Sequence, residues 1–378
     1  MASWPDVVTL MARDRWRRWL AVAVGVAALL TVPAVGRLLP VTESPLDAAT
    51  LRDRILASAA RPYSGYAESV GQLGVPALPQ LDQVAALLSG TTRIRVWYAA
   101  PDRWRVDDLT TAGERGTYRI GITELVWDFE DDRLTRIGGP VTLRPPRAAD
   151  LLPPELARRL LALATGDPVT RLPARHIAGI DAAGLRLAPT DPTTTVGSID
   201  VWADPASGLP LQVHVTARDA DRPVLVSRLL EVSIATPPPR VLVPSAGPGS
   251  AVGTAAAADV AGVLRGLGGT APPEQLVGRA RVTPSAELPG VGWYGSGLSG
   301  FVVVPLGRRL ATELLDGARK AGGAAIDMPE VATAMRLQTP LVTLVVVRAR
   351  RFGYLLAGAV TAPVLDKAAA ELAGGSSQ

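Results

Sequence analysis

From Arg93 to Ile234 the chain keeps a two-residue rhythm through most of its length, and that rhythm confines this region to antiparallel sheet. Arg93–Ala99 sets Ile94, Val96 and Tyr98 against Arg93, Arg95 and Trp97. Successive side chains of a strand point to opposite faces, so each set shares one face. After a turn at Pro101-Asp102 the chain runs back through Trp104-Arg105-Val106. Gly116–Ile122 and Leu125–Phe129 continue the meander, and Glu130-Asp131-Asp132 turns it into Arg133–Ile137. Tight turns between alternating runs predict antiparallel neighbours. A helix over about Pro154–Ala164 interrupts them, with its two prolines at the start, where the missing N–H costs nothing. Strands resume at Val169–Ile180, Gly184–Ala188, Val196–Ala203, Leu211–Ala217 and Val224–Ile234. The turn Asp204-Pro205-Ala206-Ser207-Gly208 places Gly208 where a positive φ is needed.

The flanks of this region follow a helical period. Ser44-Pro45 opens a helix: Ser44 caps it, Pro45 takes the first position and Asp47 follows three residues after the cap. Ala48, Leu51, Ile55 and Ala59 fall on one face. A shorter helix is predicted over about Leu81–Leu88. Three prolines after Thr236 and a Gly/Pro/Ala/Ser-rich run beyond them mark a linker, so 44–236 and 256–378 are separate domains joined by 237–255. In the second, Ala256–Leu267, Leu306–Lys320 and Thr361–Leu372 are predicted helices, the middle one burying Leu310, Leu314 and Ala318. Its strands are Gly290–Gly297, Phe301–Pro305, Met335–Leu337, Leu341–Arg348 and Phe352–Val360. The fold class is α+β, with a large antiparallel sheet, helices and a smaller α/β domain.

Residues 1–43 carry a different signal. Arg13, Arg15, Arg17 and Arg18 precede an uncharged run from Trp19 to Val35, with Trp16 and Trp19 at the junction. A bilayer span needs about 20 apolar residues, and arginines stay on the cytoplasmic side. The segment reads as an uncleaved signal anchor, a single pass through the cell membrane with the bulk outside. A cleavable signal peptide is the alternative, because Val32-Pro33-Ala34 offers small residues. Those arginines account for much of the net charge of +4, so the high isoelectric point does not indicate nucleic-acid binding. The chain has no cysteine, which excludes disulfides, thiol catalysis and zinc–thiolate sites.

No motif argues for catalysis, a metal or a cofactor. Gly295–Gly300 matches GxGxxG in form, but a dinucleotide fingerprint must open a helix, and this one runs into the strand Phe301-Val-Val-Val-Pro305. His176 and His214 stand alone on strands, without further ligands at metal-binding spacing. Glu130-Asp131-Asp132 is read as a solvated hairpin tip.

The pieces SGY-x-ES-x-G-x-LG-x-PALP (64–79), LLSGTTRIRVWYAAPDRWRV (87–106), LVWDFEDDRLTRI (125–137) and VGSIDVWADPASGLPLQVHV (196–215) resemble the actinobacterial branch of the LolA/RseB-like proteins. The resemblance covers about 44–236; the C-terminal unit is similar, more weakly, to the second domain of RseB-type sigma-E regulatory proteins. It implies a strongly curved sheet, an incomplete barrel closed by helices, with an apolar cavity for acyl chains or peptide segments. It therefore implies a non-enzymatic binder of lipid or lipoprotein acyl chains. The alternative is a regulatory module for a protein partner such as an anti-sigma factor, in RseB-like envelope-stress sensing; an exporter would be the protein partner in the lipid-handling reading. Candidate cavity residues are Ile94, Val96, Tyr98, Leu125, Trp127, Phe129, Val201 and Val213. Alternation defines two faces of each strand but does not say which looks inward.

Overall fold

A computed structural model describes residues 41–74, 82–111, 113–139, 144–258, 271–282, 290–328, 332–349 and 353–374. The predicted anchor and most of the predicted helix over 256–267 lie outside these residues. Among the described residues no helix is long and apolar enough to cross a membrane.

Twelve strands form the first sheet: β1 Tyr63–Gly71, β2 Thr91–Ala100, β3 Arg103–Leu109, β4 Glu114–Ile120, β5 Thr123–Asp128, β6 Arg133–Gly138, β7 Val169–Ile177, β8 Ile180–Leu187, β9 Val196–Ala203, β10 Pro210–Ala217, β11 Pro223–Ser233 and β12 Ala251–Ala256. Their spatial order is β12-β6-β5-β4-β3-β2-β1-β11-β10-β9-β8-β7, so the sheet ends in two edges rather than closing into a barrel. Every pairing is antiparallel except β12 with β6. All of β12 but its last residue, Ala256, lies inside the stretch predicted as linker. After β11 the chain returns to the far edge, where β6 presents an unused row of N–H and C=O groups, and satisfies them in parallel.

Two helices cover one face of this sheet, called here the inner face. α1 (Ala48–Ala57) packs on β7 and β8, α3 (Pro153–Leu163) on β10 and β11, and a short α2 (Asp82–Ser89) lies against β1. Leu51 and Ile55 of α1 and Ala157 and Leu161 of α3 meet Leu185, Ile199, Val201, Val213 and Val215 in a solvent-excluded core. The cap of α1 is Asp47, not Ser44: its carboxylate accepts from the Thr50 N–H at 2.8 Å, and the Ser44 hydroxyl instead accepts from Leu46 N–H. Gly208 holds φ +74°, and a Cβ there would lie 2.4 Å from the Arg54 carbonyl oxygen, so the turn requires glycine.

The second sheet has eight antiparallel strands: β13 Gln275–Leu276, β14 Arg279–Val282, β15 Gly292–Tyr294, β16 Phe301–Leu306, β17 Ala324–Ile326, β18 Thr333–Gln338, β19 Thr343–Arg348 and β20 Gly353–Gly358. α4 (Arg308–Lys320) covers one face and α5 (Ala362–Gly374) the other, which is why β19 is apolar from Leu344 to Val347. Val346 faces α4, whereas Val345 and Val347 face the α5 side. The buried stripe of α4 is Ala311, Leu315 and Ala318, one position on from the predicted Leu310 and Leu314, which are half-buried. The Gly295–Gly300 segment is a 3₁₀ turn between β15 and β16, with Gly295 and Gly297 at positive φ.

Candidate functional site: an arginine-lined groove

The helices fill the inner face over β8–β11 and leave it open over β3–β6. A 3₁₀ turn at Ala148–Leu151 packs on β2, fixed where the Ser227 hydroxyl donates to the Leu151 carbonyl. Before it, Arg144-Pro145-Pro146-Arg147 arches over the remaining strands and encloses two cavities, of about 1050 and 580 Å³. Both are lined by Arg115, Thr117, Pro146 and Arg147, so they form one groove.

Register explains the polarity of this groove. Val106 on β3 faces Thr117 on β4, Thr117 faces Val126 on β5, and Val126 faces Thr135 on β6. That row and its same-face neighbours Arg115, Arg119 and Glu124 form the floor. The smaller cavity is lined by four arginines, Arg115, Arg119, Arg144 and Arg147, against one carboxylate, Glu124. In the larger, Arg93, Arg115 and Arg147 stand with Glu68 and Asp108.

Local pairing holds these side chains in place. Glu124 accepts from Arg147 at 2.9 Å and from Arg119 at 3.3 Å. Arg147 also stacks over Trp104, 5.0 Å from the ring centroid, a contact that favours a guanidinium. Arg144 makes a bidentate pair with Asp150 at 2.7 and 2.5 Å. Burial works against the Asp150 carboxylate, yet the hydrogen bonds from Arg144 and the Arg147 N–H hold its pKa below the ordinary value. Arg115 likewise meets Asp128 at 3.4 Å, so the groove presents guanidinium groups held in place by carboxylates, a mixed-charge surface with a small excess of arginine.

The eight residues expected to line one cavity do not come together. Ile94, Val96 and Tyr98 lie on the inner face, as do Val201 and Val213, but Ile94, Val96, Val201 and Val213 have no accessible surface and serve as core. Tyr98 donates its hydroxyl to the Ala59 carbonyl at 2.7 Å and stacks on Tyr63. Leu125 and Trp127 face the other way: they pair with Tyr118 and Gly116, on the opposite side from Thr117. Phe129 follows β5, edge-on to Trp127 and half exposed. The correction has a simple cause. On β2 and β3 the apolar side is the inner one, but from β4 onward the apolar alternates Tyr118, Leu125, Trp127 and Leu134 lie on the outer face. Arg105 covers part of that outer face, its guanidinium between Trp97 at 4.7 Å and Tyr118 at 5.0 Å.

Arg115, Thr117, Arg119, Glu124, Arg144 and Arg147 were not among the expected site residues. The signal for the first three was present: Glu114–Ile120 alternates charged or hydroxyl residues with Gly116, Tyr118 and Ile120. Among the described residues no group of three or more His, Asp or Glu side chains is placed to hold a metal ion. His176 contacts Asp181, and His214 contacts Gln212 and the edge of Trp202.

The first sheet is thus an open, curved antiparallel sheet with helices on one face and a groove beside them. No family model matches the chain, and no curated protein matches it. Among solved structures, it is similar to the Pseudomonas aeruginosa MucA/MucB complex, at 15% identity and a TM-score of 0.47, over 84% of this chain and 95% of that one. It is also similar to a LolA-superfamily protein of Nitrosomonas europaea (14% identity, 53% of this chain, 98% of that chain, TM-score 0.23). A third similar structure is LprF of Mycobacterium bovis (13% identity, 50% of this chain, 94% of that chain, TM-score 0.28).

Proposed function

We propose that this chain is a non-enzymatic, extracytoplasmic binding module that holds a segment of a partner protein in the groove over β3–β6. The polarity of the groove carries the reading. An acyl chain needs an apolar lining with few polar groups. Here the wholly apolar half of the inner face is filled by α1 and α3, and the open half sets Arg115, Thr117, Arg119, Glu124, Arg144 and Arg147 among apolar residues such as Val106, Val126 and Ile137, the mixed lining that an extended peptide with polar and apolar side chains fits. Peptide groups and carboxylates satisfy such a lining; methylenes leave its polar atoms without partners. Attachment to the cell membrane through residues 1–43 belongs to the same proposal and would keep the module beside membrane-bound partners.

One experiment separates this reading from acyl-chain carriage. A photoactivatable phenylalanine analogue at Thr117 is crosslinked in cells, and the adduct is identified by mass. The expected product is a peptide adduct that disappears when Arg119→Glu reverses a floor charge, with Asp131 as the exposed control position. A lipid adduct at Thr117, with affinity for free fatty acids rising by about 0.8 kcal/mol per methylene, would restore acyl chains as the ligand.

A further inference from the structure

The edge of the sheet beside the groove carries a more specific conclusion, which rests on the protein-segment reading. In a parallel pair each residue directs both its N–H and its C=O to the same neighbour, and alternate residues direct theirs away. Ala251 N–H donates to the Asp132 carbonyl and Ala257 N–H to the Gly138 carbonyl, which assigns residues 251, 253, 255 and 257 to β6. Val252, Thr254 and Ala256 therefore turn their backbone groups to the outside, and all three are exposed. No described strand lies beyond β12. Such a row is a template for one more strand.

The surroundings of this edge favour one kind of strand. β6 carries Arg133 in register with Ala251 and Arg136 in register with Thr254, on opposite faces. Both are exposed, and neither forms an ion pair with a described residue. Ala255–Ala258 form the rim of the smaller cavity, with Arg144 and Arg147 in its lining. The carboxylates Glu130, Asp131 and Asp132 stand at the other end, where Asp132 accepts from the Ser250 hydroxyl.

We infer that an acidic, extended segment of a partner protein adds to β12 as a thirteenth strand, with its carboxylates on the groove face, toward Arg133, which reaches over Gly253, and toward Arg144 and Arg147. Main-chain bonds to Val252, Thr254 and Ala256 supply affinity, and the arginines select the charge.

Thr254→Pro tests this cleanly. It removes an outward N–H that β6 does not use, and proline is tolerated in edge strands. The probes are two fluorescein-labelled octapeptides, alternating Val-Glu and alternating Val-Lys, titrated into the full-length protein in detergent. The Val-Glu peptide is expected to bind with an affinity that falls as salt rises. That affinity drops at least tenfold in Thr254→Pro and in Arg133→Glu, with circular dichroism and melting unchanged. Thr254→Val keeps the N–H and is expected to bind as wild type, which separates loss of the donor from loss of the side chain. Equal binding of the two peptides, or a folded Thr254→Pro protein that binds Val-Glu as wild type does, overturns the inference. So does self-association that Thr254→Pro abolishes, because the edge would then serve a second copy. Phosphatidylglycerol vesicles bound equally by wild type and Thr254→Pro, with no peptide bound, would give the arginines to lipid instead. If the Thr117 adduct persists in Thr254→Pro, only the edge inference falls; if no peptide adduct forms at Thr117 in any variant, the groove reading falls with it.

Discussion

At the residue scale the strongest electrostatic feature lies behind the groove. Asp107 is fully buried on the outer face of β3, where Arg105 bonds it at 2.7 Å and Glu114 stands close by. Burial, and then the neighbouring Glu114 carboxylate, push its pKa up to about 6, although Arg105 pulls it down. Because the folded-state pKa exceeds the unfolded one, the folded state binds this proton more tightly. The contribution of Asp107 to stability is thus complete below about pH 4 and is lost as pH rises through about 6. Asp107→Asn is expected to flatten the stability profile between those limits, read as denaturation midpoints at pH 4, 5, 6 and 7. An unchanged slope would show that another group carries the effect. Tyr98 gives a second residue-scale prediction. Tyr98→Phe removes its bond to the Ala59 carbonyl and should cost about 1 kcal/mol of unfolding free energy in urea titrations, while leaving ligand binding intact. Lost binding with unchanged stability would return Tyr98 to the site.

At the element scale, much of the architecture was legible and its sidedness was not. β9 runs over the predicted Val196–Ala203, and β2, β6, β10 and β11 match their alternating runs to within a residue or two, because period-2 patterning and turn residues act locally. β1, by contrast, reads Tyr-Ser-Gly-Tyr-Ala-Glu-Ser-Val-Gly, with small and polar residues where apolar ones would mark a strand. It forms because it is central, between β2 and β11, and Gly65 lets the Glu231 carbonyl approach to 2.3 Å from where a Cβ would stand. β12 is similarly silent, an Ala/Gly/Thr segment recruited by a free edge. The apolar face passes from inner to outer between β3 and β4, a tertiary fact that alternation cannot encode. That exchange is why Leu125 and Trp127 looked like cavity residues and Arg115 and Arg119 did not. The helices allow a direct test of what fills the inner face. Leu161→Ala on α3 opens a void in a site with no exposure and should cost about 2–5 kcal/mol, measured by chemical denaturation. A cost below about 1 kcal/mol would mean that the space under α3 is loosely filled, which is what acyl-chain carriage needs.

At the scale of the whole molecule, a loop of the first sheet is hydrogen-bonded into the second, so the long stretch between them does not make them independent. The loop between β8 and β9 inserts into the second sheet's surroundings. The Thr194 hydroxyl lies 2.9 Å from the Leu298 carbonyl and 2.8 Å from that of Ala359, and the Thr195 hydroxyl donates to the Leu341 carbonyl at 2.6 Å. Backbone bonds add to these: Thr195 N–H to the Ala359 carbonyl and Thr361 N–H to the Thr193 carbonyl. Thr194 and Thr195 are buried, and Leu298 and Leu341 pack into the core beneath α1 and α3. Valine keeps the shape of threonine but leaves the buried carbonyls short of a donor, at about 1–3 kcal/mol for each site. The Thr194→Val, Thr195→Val double variant should therefore lose the coupling before it loses either core. In calorimetry the wild-type protein is expected to unfold in one cooperative transition and the double variant in two, because each sheet retains its own buried cluster. Limited proteolysis gives the matching result. A protease site engineered after Ala258, so that β12 stays with its own sheet, yields fragments that co-elute in wild type and separate in the double variant. One undivided transition in the double variant, with co-eluting fragments, would show that apolar packing at Leu298 and Leu341 fastens the sheets without the threonine hydroxyls.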